Sequence, residues 1–169
     1  MIFVDVNVFI HHVGRKHPLR REARERISHS LREGDHLVTS AEVLQELLHF
    51  YLRSRRVSAL DDAFTLVEAC LDEVWAVEKS DVTLARNLAT RHPGLEARDL
   101  VHLACCIRRE PDDLMTFDRA LAAAWRSRSP RAGTDATTAS RSAGRYALGE
   151  KPRAEPPSWA CRRKVSTTS

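Results

Sequence analysis

The sequence predicts a three-layer α/β/α sandwich around a central, mostly parallel sheet, and three observations predict it. Short runs rich in β-branched residues alternate along the chain with longer amphipathic segments, which is typical of strands connected by helices. The first run, Ile2-Phe3-Val4, does not alternate between apolar and polar residues, so we expect a strand that is buried on both faces. The chain has 169 residues, of which 43% are hydrophobic, with six Gly and seven Pro, and this suits one globular core.

The element boundaries follow from hydrophobic periodicity and from helix-breaking residues. The predicted strands cover residues 2–6, 36–40, 75–77 and 114–117. The predicted helices cover residues 19–31, 40–56, 58–74, 80–89, 96–109 and 119–125. Ser40 stands directly before a long apolar period, and we predict that its side chain caps the helix that follows.

Residues 126–169 differ from the rest of the chain in charge and in pattern. They carry ten Lys or Arg against three acidic residues, a net charge of +7, whereas residues 1–125 carry 17 basic and 20 acidic side chains, a net charge of −3. Ser, Thr, Arg, Pro and Ala dominate residues 126–169, and hydrophobic periodicity disappears there. We therefore predict a folded domain over 1–125 and a disordered, basic, low-complexity tail over 126–169.

The sequence predicts a cytoplasmic protein that does not associate with membranes. It contains no run of eighteen apolar residues, and no basic region precedes the apolar N-terminal stretch as it would in a signal peptide. The four cysteines have no zinc-ligand spacing, so reduced and mostly buried thiols are expected.

Two acidic residues follow predicted strands. Asp5 interrupts the first apolar run, and Asp118 comes at the end of the last one. Ligands of a parallel α/β sheet bind outside the carboxyl ends of its strands, so both residues are candidates for an active site. Each also precedes a possible helix, and Asp118 in particular suits the N-cap of a last helix that begins at Arg119.

Two further acids lie on helical faces that are otherwise apolar. Glu46 shares its face with Val43 and Phe50, and Asp99 shares its face with Leu103 and other apolar residues. His102 lies one turn after Asp99, and we interpret it as a packed histidine rather than a base or ligand. Four carboxylates without a matching number of nearby Lys or Arg favour a site for Mg²⁺ or Mn²⁺, which select oxygen ligands.

These acids fall in segments that together resemble a known family. The segments 2–10, 40–46, 97–104 and 115–118 resemble the PIN domain in order and spacing, and they are most similar to VapC-type toxins of bacterial toxin–antitoxin pairs. The resemblance spans about residues 1–125. Any one motif is weak evidence, because a strand that ends in Asp occurs in many folds, whereas all four in order are a strong signal.

The resemblance implies a site, an activity and partners. Asp5, Glu46, Asp99 and Asp118 would form the catalytic metal site for Mg²⁺, or Mn²⁺, with Asn7 and Thr116 orienting carboxylates and water. The protein would be a metal-dependent endoribonuclease that hydrolyses RNA and leaves a 5′ phosphate and a 3′ hydroxyl. It would act as the toxin of a type II toxin–antitoxin system, bind a cognate antitoxin and form a homodimer.

Two other functions compete with this interpretation. A phosphatase of the haloacid-dehalogenase type also uses a strand that ends in an Asp nucleophile, but it needs an acidic pair after a later strand, and Asp112-Asp113 precedes its strand here. A catalytically silent PIN-like binding module would use the acids only to dock an Arg of the antitoxin. Metal dependence separates that module from a nuclease.

Overall fold

The computed structural model of the chain describes residues 1–14 and 17–128. Within these ranges, Met1–Arg128 forms one compact unit with four strands and seven helices. The strands are β1 (Ile2–Val4), β2 (Leu37–Ser40), β3 (Glu73–Trp75) and β4 (Asp113–Met115). The helices are α1 (Val6–Val13), α2 (Leu19–Glu33), α3 (Ala41–Arg53), α4 (Val57–Cys70), α5 (Lys79–Leu88), α6 (Ala97–Arg109) and α7 (Arg119–Ser127).

The four strands form one sheet in the order β3-β2-β1-β4, and each neighbouring pair is parallel. In the register of the sheet, Ile2 of β1 lies opposite Leu37 on one side and Asp113 on the other. Helices connect successive strands, as parallel pairing requires. The predicted three-layer α/β/α fold with a parallel sheet is confirmed, although β3 and β4 lie slightly earlier than the segments 75–77 and 114–117.

Helix α1 is absent from the sequence-based assignment. Its composition, with three Val and one Ile in eight residues, favours strand over helix. Two structural features outweigh that preference. The Asp5 side chain accepts a hydrogen bond from the Val6 N–H at 2.7 Å, which caps the helix, and Val8 and Phe9 are fully buried. The first strand therefore ends at Val4, and Asp5 lies at a strand-to-helix junction.

The core lies between the sheet and the helices around it. Its largest fully buried side chains include Tyr51, Phe3 and Phe9. Helices α1, α3 and α4 contact one another, α5 packs on α6, and α6 also contacts α7 and α3. The contact between α3 and α6 matters for function, because each of these helices carries one of the predicted acidic residues.

The ends of the helices follow local signals in most cases. Gly34 ends α2 in a left-handed conformation with φ of 77°, and a reciprocal capping box of Glu96 and Asp99 begins α6. The predicted cap of α3 is wrong. Ser40 occupies the N-cap position, but its side chain makes no capping hydrogen bond, and its buried hydroxyl has no partner among the residues that the structure describes. Ser40 is also the last residue of β2, paired with Trp75 in the sheet.

Helix α7 continues to Ser127, past the predicted domain end at residue 125. The tail predicted beyond it lies, from residue 129 on, outside the described residues. In the part of the chain that the structure describes, no helix combines the length and the apolar character needed to cross a bilayer. Cys70, Cys105 and Cys106 are free thiols, and burial raises the pKa of Cys70 to about 11.

Candidate active site

Strands β1 and β4 are neighbours in the sheet, so their carboxyl ends bring Asp5 and Thr116 together. The Asp5 N–H donates to the Met115 carbonyl at 3.0 Å, which extends the pairing beyond β1. The Thr116 hydroxyl donates to Asp5 Oδ2 at 2.6 Å, and Asp5 is only 2% exposed. Parallel pairing thus places the buried Asp5 carboxylate beside the buried Thr116 hydroxyl at the carboxyl ends of the two strands.

Asn7 connects Asp5 to the segment that follows β4. Its amide nitrogen donates to Asp5 Oδ2 at 2.5 Å and to the Thr116 hydroxyl oxygen at 3.0 Å, and its carbonyl oxygen accepts from the Phe117 N–H at 2.9 Å. The Thr116 hydroxyl oxygen also accepts from the Asp118 N–H at 2.9 Å. The three predicted residues Asp5, Asn7 and Thr116 therefore form one hydrogen-bonded network.

Glu46 lies on α3 and Asp99 lies on α6, and these two helices contact each other. The Glu46 side chain is 15% exposed, and Asp99 is half-buried at the third position of α6. The negative charge of Glu46 raises the pKa of Asp5, and the negative charges of Asp118 and Glu46 raise the pKa of Asp99. The structure thus gathers the four predicted acids, Asp5, Glu46, Asp99 and Asp118, into one group, which we call the acidic cluster.

His102 belongs to this site, although sequence analysis treated it as a packed side chain. It is 1% exposed, and its Nε2 lies 2.7 Å from Glu46 Oε1. Its ring also packs against Phe3, with 6.0 Å between ring centroids, so it contributes to the core as well. The signal for its role was its spacing of three residues from Asp99, which puts both side chains on one helical face.

Burial and neighbouring charges shift the pKa values of Asp5, Asp99 and His102. Burial raises the pKa of Asp5, and the charge of Glu46 raises it further, although His102 and the hydrogen bonds from Thr116 and Val6 oppose the rise. Burial also raises the pKa of Asp99. Burial alone would lower the pKa of His102, but its hydrogen bond to Glu46 and the surrounding carboxylates raise it. The carboxylates around His102 thus favour its charged form.

Helix starts supply further compensation for the carboxylates. Asp5 accepts from the Val6 N–H at the start of α1, Asp99 accepts from the Glu96 N–H at the start of α6, and Asp118 accepts from the Leu121 N–H at the start of α7. The partial positive charge of a helix N-terminus stabilises a nearby carboxylate. The capping role proposed for Asp118 and its place in the acidic cluster are therefore compatible.

Positive side chains balance only part of the cluster. His102 contacts Glu46 from inside, and Arg98, whose side chain is 41% exposed, lies 3.6 Å from Glu46 Oε2 at the rim. In the described ranges, no three His, Cys, Asp or Glu side chains converge in a metal-holding arrangement. The carboxylates instead accept hydrogen bonds from their protein neighbours. The donor set is nevertheless made of oxygen atoms, which suits Mg²⁺ or Mn²⁺.

The fold and the site define the class of protein. Residues 2–125 match the model of the PIN domain, so the chain belongs to the PIN domain family. The chain is 60% identical over 127 residues to ribonuclease VapC23 of Mycobacterium tuberculosis, an alignment that covers 75% of this chain and 100% of the relative. It is 40% identical over 119 residues to ribonuclease VapC13 of the same organism, with 70% of this chain and 91% of the relative covered.

Within the PIN family, these relatives place the chain among the VapC-type ribonucleases. The crystal structure of M. tuberculosis VapC20, described as a sarcin–ricin loop cleaving toxin, has the same fold. It matches with a TM-score of 0.63 at 21% identity, and the match covers 73% of this chain and 95% of that one. Membership of this family sets aside the haloacid-dehalogenase-type phosphatase as an alternative.

Proposed function

We propose that this protein is a Mg²⁺-dependent endoribonuclease and the toxin of a type II toxin–antitoxin system, with the acidic cluster as its metal site. The observation that carries the proposal is that Asp5 and Asp118 follow the neighbouring parallel strands β1 and β4, while the charge of Glu46 on α3 acts on both Asp5 and Asp99. A fold that buries carboxylates without enough positive partners loses stability, and a divalent cation offsets this cost. The names of the VapC relatives support cleavage of RNA.

The charges at the site fit a divalent cation. Glu46 contacts His102 and Arg98, and Arg98 also lies 3.9 Å from Glu42, so the four acids outnumber the basic side chains paired with them in the part of the chain that the structure describes. Mg²⁺ would add positive charge at the carboxylates, and Mn²⁺ binds the same kind of oxygen ligand. Asp5, Glu46, Asp99 and Asp118 would hold the ion after turning from their present hydrogen-bond partners.

The chain's own residues fix and complete the site. When bound, the cation lowers the pKa of a water molecule and neutralises negative charge on the phosphate. Asn7 and Thr116 hold Asp5 in one orientation through hydrogen bonds of 2.5 and 2.6 Å to Oδ2. His102 holds Glu46 from the buried side, and Arg98 is the partly exposed cation that an incoming phosphate meets at the rim.

The partners of the proposed toxin are an antitoxin and a second copy of the chain. Residues on the outer side of α3 and at the start of α4 leave large apolar side chains exposed. Leu48 and Phe50 are each 40% exposed, Leu52 is 54% exposed, and Val57 is 56% exposed. Leu48 and Leu52 lie one turn apart on the same side of α3, and such exposed apolar side chains support an interface with another protein. We expect the antitoxin to cover the acidic cluster. We expect the homodimer to form through apolar helical surface.

The experiment that tests the function is RNA cleavage by the purified full chain. A panel that includes transfer and ribosomal RNA is incubated with Mg²⁺, Mn²⁺ or EDTA. Wild type is compared with Asp5→Asn and Asp99→Asn, and Asp61→Asn on the exposed side of α4 is the matched control. We expect metal-dependent cleavage that each site variant reduces on the order of 10²-fold or more, as for other groups that stabilise reaction charge. The control should cleave like wild type.

A thermal unfolding measurement separates metal binding from catalysis. Mg²⁺ should raise the unfolding midpoint of wild type and of Asp61→Asn, because it relieves repulsion in the acidic cluster, but not that of Asp99→Asn. A metal-dependent midpoint without cleavage of any RNA would indicate a catalytically silent binding module. No effect of metal on either measurement would contradict the metal site itself.

A further inference from the structure

Four side chains form a connected stack at the surface beside the acidic cluster. The rings of His11 and His17 are stacked, with centroids 4.2 Å apart and planes inclined by 19°. The edge of His11 meets Phe117 at 5.4 Å and 79°, and the Arg26 guanidinium lies 4.8 Å from the centre of the Phe117 ring. We call His17, His11, Phe117 and Arg26 the ring stack.

The ring stack is joined directly to the site. Phe117 lies between Thr116 and Asp118, and its N–H donates to Asn7 Oδ1 at 2.9 Å. His11 follows Asn7 by four residues on α1, so both side chains lie on one face of that helix, one turn apart. The ring stack is therefore connected to the network that holds Asp5 through Phe117 and through α1.

The members of the ring stack are not part of the buried core. His17 and Arg26 are exposed, and His11 and Phe117 are half-buried. The Leu19 N–H donates to His17 Nδ1 at 3.1 Å, which orients the outermost ring. Burial, and to a lesser extent the neighbouring His17, lowers the pKa of His11. The stack thus offers a flat, oriented and accessible ring.

We propose that the ring stack is a base-binding subsite, on which an unpaired nucleobase of the RNA stacks while the adjoining phosphodiester lies at the acidic cluster. Aromatic rings and Arg guanidinium planes are the groups on which proteins stack bases of single-stranded RNA. Bases inside an RNA helix are already stacked on their neighbours, so the subsite selects loops, bulges or unpaired ends. This inference rests on the proposed ribonuclease function and adds the class of RNA it takes.

The test measures binding without cleavage, in EDTA, of an unstructured oligoribonucleotide that contains 2-aminopurine. Stacking on a ring quenches the fluorescence of this base. We expect His17→Ala to weaken binding about 5- to 10-fold, the lower range for one base–aromatic stack, and to reduce the quenching. His17→Trp should restore both. His29→Ala is the matched control, because His29 is an exposed histidine on α2 outside the ring stack, and it should bind like wild type.

Oligonucleotides with a single abasic site, moved along the sequence, show whether a base meets the ring. Wild type should lose about 5- to 10-fold in affinity when the abasic site occupies one particular position. His17→Ala should lose no more at that position than elsewhere, because the ring that the base contacts is already missing. Equal unfolding midpoints for the variants establish that the fold is intact.

Two results would overturn the base-binding subsite. One is equal affinity and quenching for wild type and His17→Ala, and the other is the same abasic profile in both proteins. If wild type still cleaves RNA under either result, the proposed function stands and only the subsite is wrong. If wild type neither binds nor cleaves any RNA, the proposed function fails together with the subsite.

Discussion

Asp5 shows how one residue can serve several roles at a junction. Its backbone N–H continues the pairing of β1 with β4, its Oδ1 caps α1, and its Oδ2 accepts from both Asn7 and Thr116. Despite these hydrogen bonds, burial keeps its pKa raised. Asp5 is held in one orientation but is costly to ionise, so its carboxylate is suited to bind a cation. Asp5→Asn is the informative substitution, because it removes the charge and keeps nearly the same shape.

His12 carries a pH-dependent prediction at the same scale. Burial, together with the charges of Arg24 and Arg20, lowers its pKa to about 4. The folded protein therefore keeps His12 neutral between pH 6.5 and about 4, whereas the unfolded chain binds a proton there. Stability falls as the pH falls through this window, by about 1.4 kcal/mol per pH unit for one proton.

A His12→Gln variant isolates this effect. Urea unfolding at pH 7 and pH 5 should show that the stability advantage of wild type over the variant shrinks by roughly 2 kcal/mol at the lower pH. The exposed His29→Gln serves as the control, and its difference from wild type should stay the same at both pH values. A His12→Gln difference that does not change with pH would show that His12 is not held neutral by the fold.

At the scale of elements, Asp81 joins α5 to α6. Its carboxylate is fully buried and accepts from Arg108 at 2.6 Å and from Arg109 at 3.0 Å, while the Glu78 N–H completes a capping box. Burial alone would raise the pKa of Asp81, but the hydrogen bonds from Arg109, the Glu78 N–H and Arg108 outweigh it and lower the pKa to about 2. This contact positions α6, and therefore Asp99 and His102.

Removing the charge of Asp81 should destabilise the domain. We expect Asp81→Asn to lower the free energy of unfolding by roughly 3 kcal/mol, because two Arg side chains lose their buried partner. Glu78→Gln is the control. It binds the same Arg108 from an exposed position and should cost much less than Asp81→Asn. Chemical unfolding at pH 7 gives both values.

The pH dependence of the same pair provides a second check. A carboxylate whose pKa is lowered stabilises the fold above its unfolded value and loses that contribution as the pH falls through the folded value. The difference between wild type and Asp81→Asn should therefore decline from about pH 4 towards pH 2. A difference that stays constant over this range would mean that the Asp81 charge does not link the two helices.

At the scale of the whole molecule, residues 1–128 should be sufficient for folding. The described core lies within Met1–Arg128, and the full length of VapC23 aligns with 127 residues of the chain. We expect a chain that ends at Arg128 to differ from the full chain by less than about 0.5 kcal/mol in unfolding free energy. It should also retain metal-dependent cleavage. Loss of fold or activity would contradict a dispensable tail.

The charge of residues 129–169, which the shortened chain lacks, predicts where the two chains should differ. These residues carry eight Lys or Arg against three acidic residues, and their net charge of +5 should strengthen binding to any RNA at low salt through release of counterions. The full chain should therefore bind RNA more tightly than the shortened one in low salt, and the gap should close as salt is raised. RNA binding measured over a salt series checks this. Equal affinities at low salt would show that the tail does not contact RNA.

The sequence alone determined the parallel α/β architecture and the four acids, because strand and helix periodicity and carboxylates on apolar faces are local patterns. The PIN resemblance was equally visible, since its motifs are contiguous segments. Glu46 and Asp99, distant in the chain, were predicted for one metal site from their apolar helical faces, and the resemblance implied the same site. The metal that they would hold stays a prediction.

The tertiary structure decided what depends on contacts between distant segments. Helix α1 forms because Val8 and Phe9 are buried and Asp5 caps it, in spite of β-branched residues that favour a strand. His102 enters the site because α6 packs against α3 and brings its ring to Glu46. The ring stack exists because two helices and the segment after β4 meet at one surface. Local sequence encodes periodicity and caps, whereas burial and charge pairing are set by the packing of the whole domain.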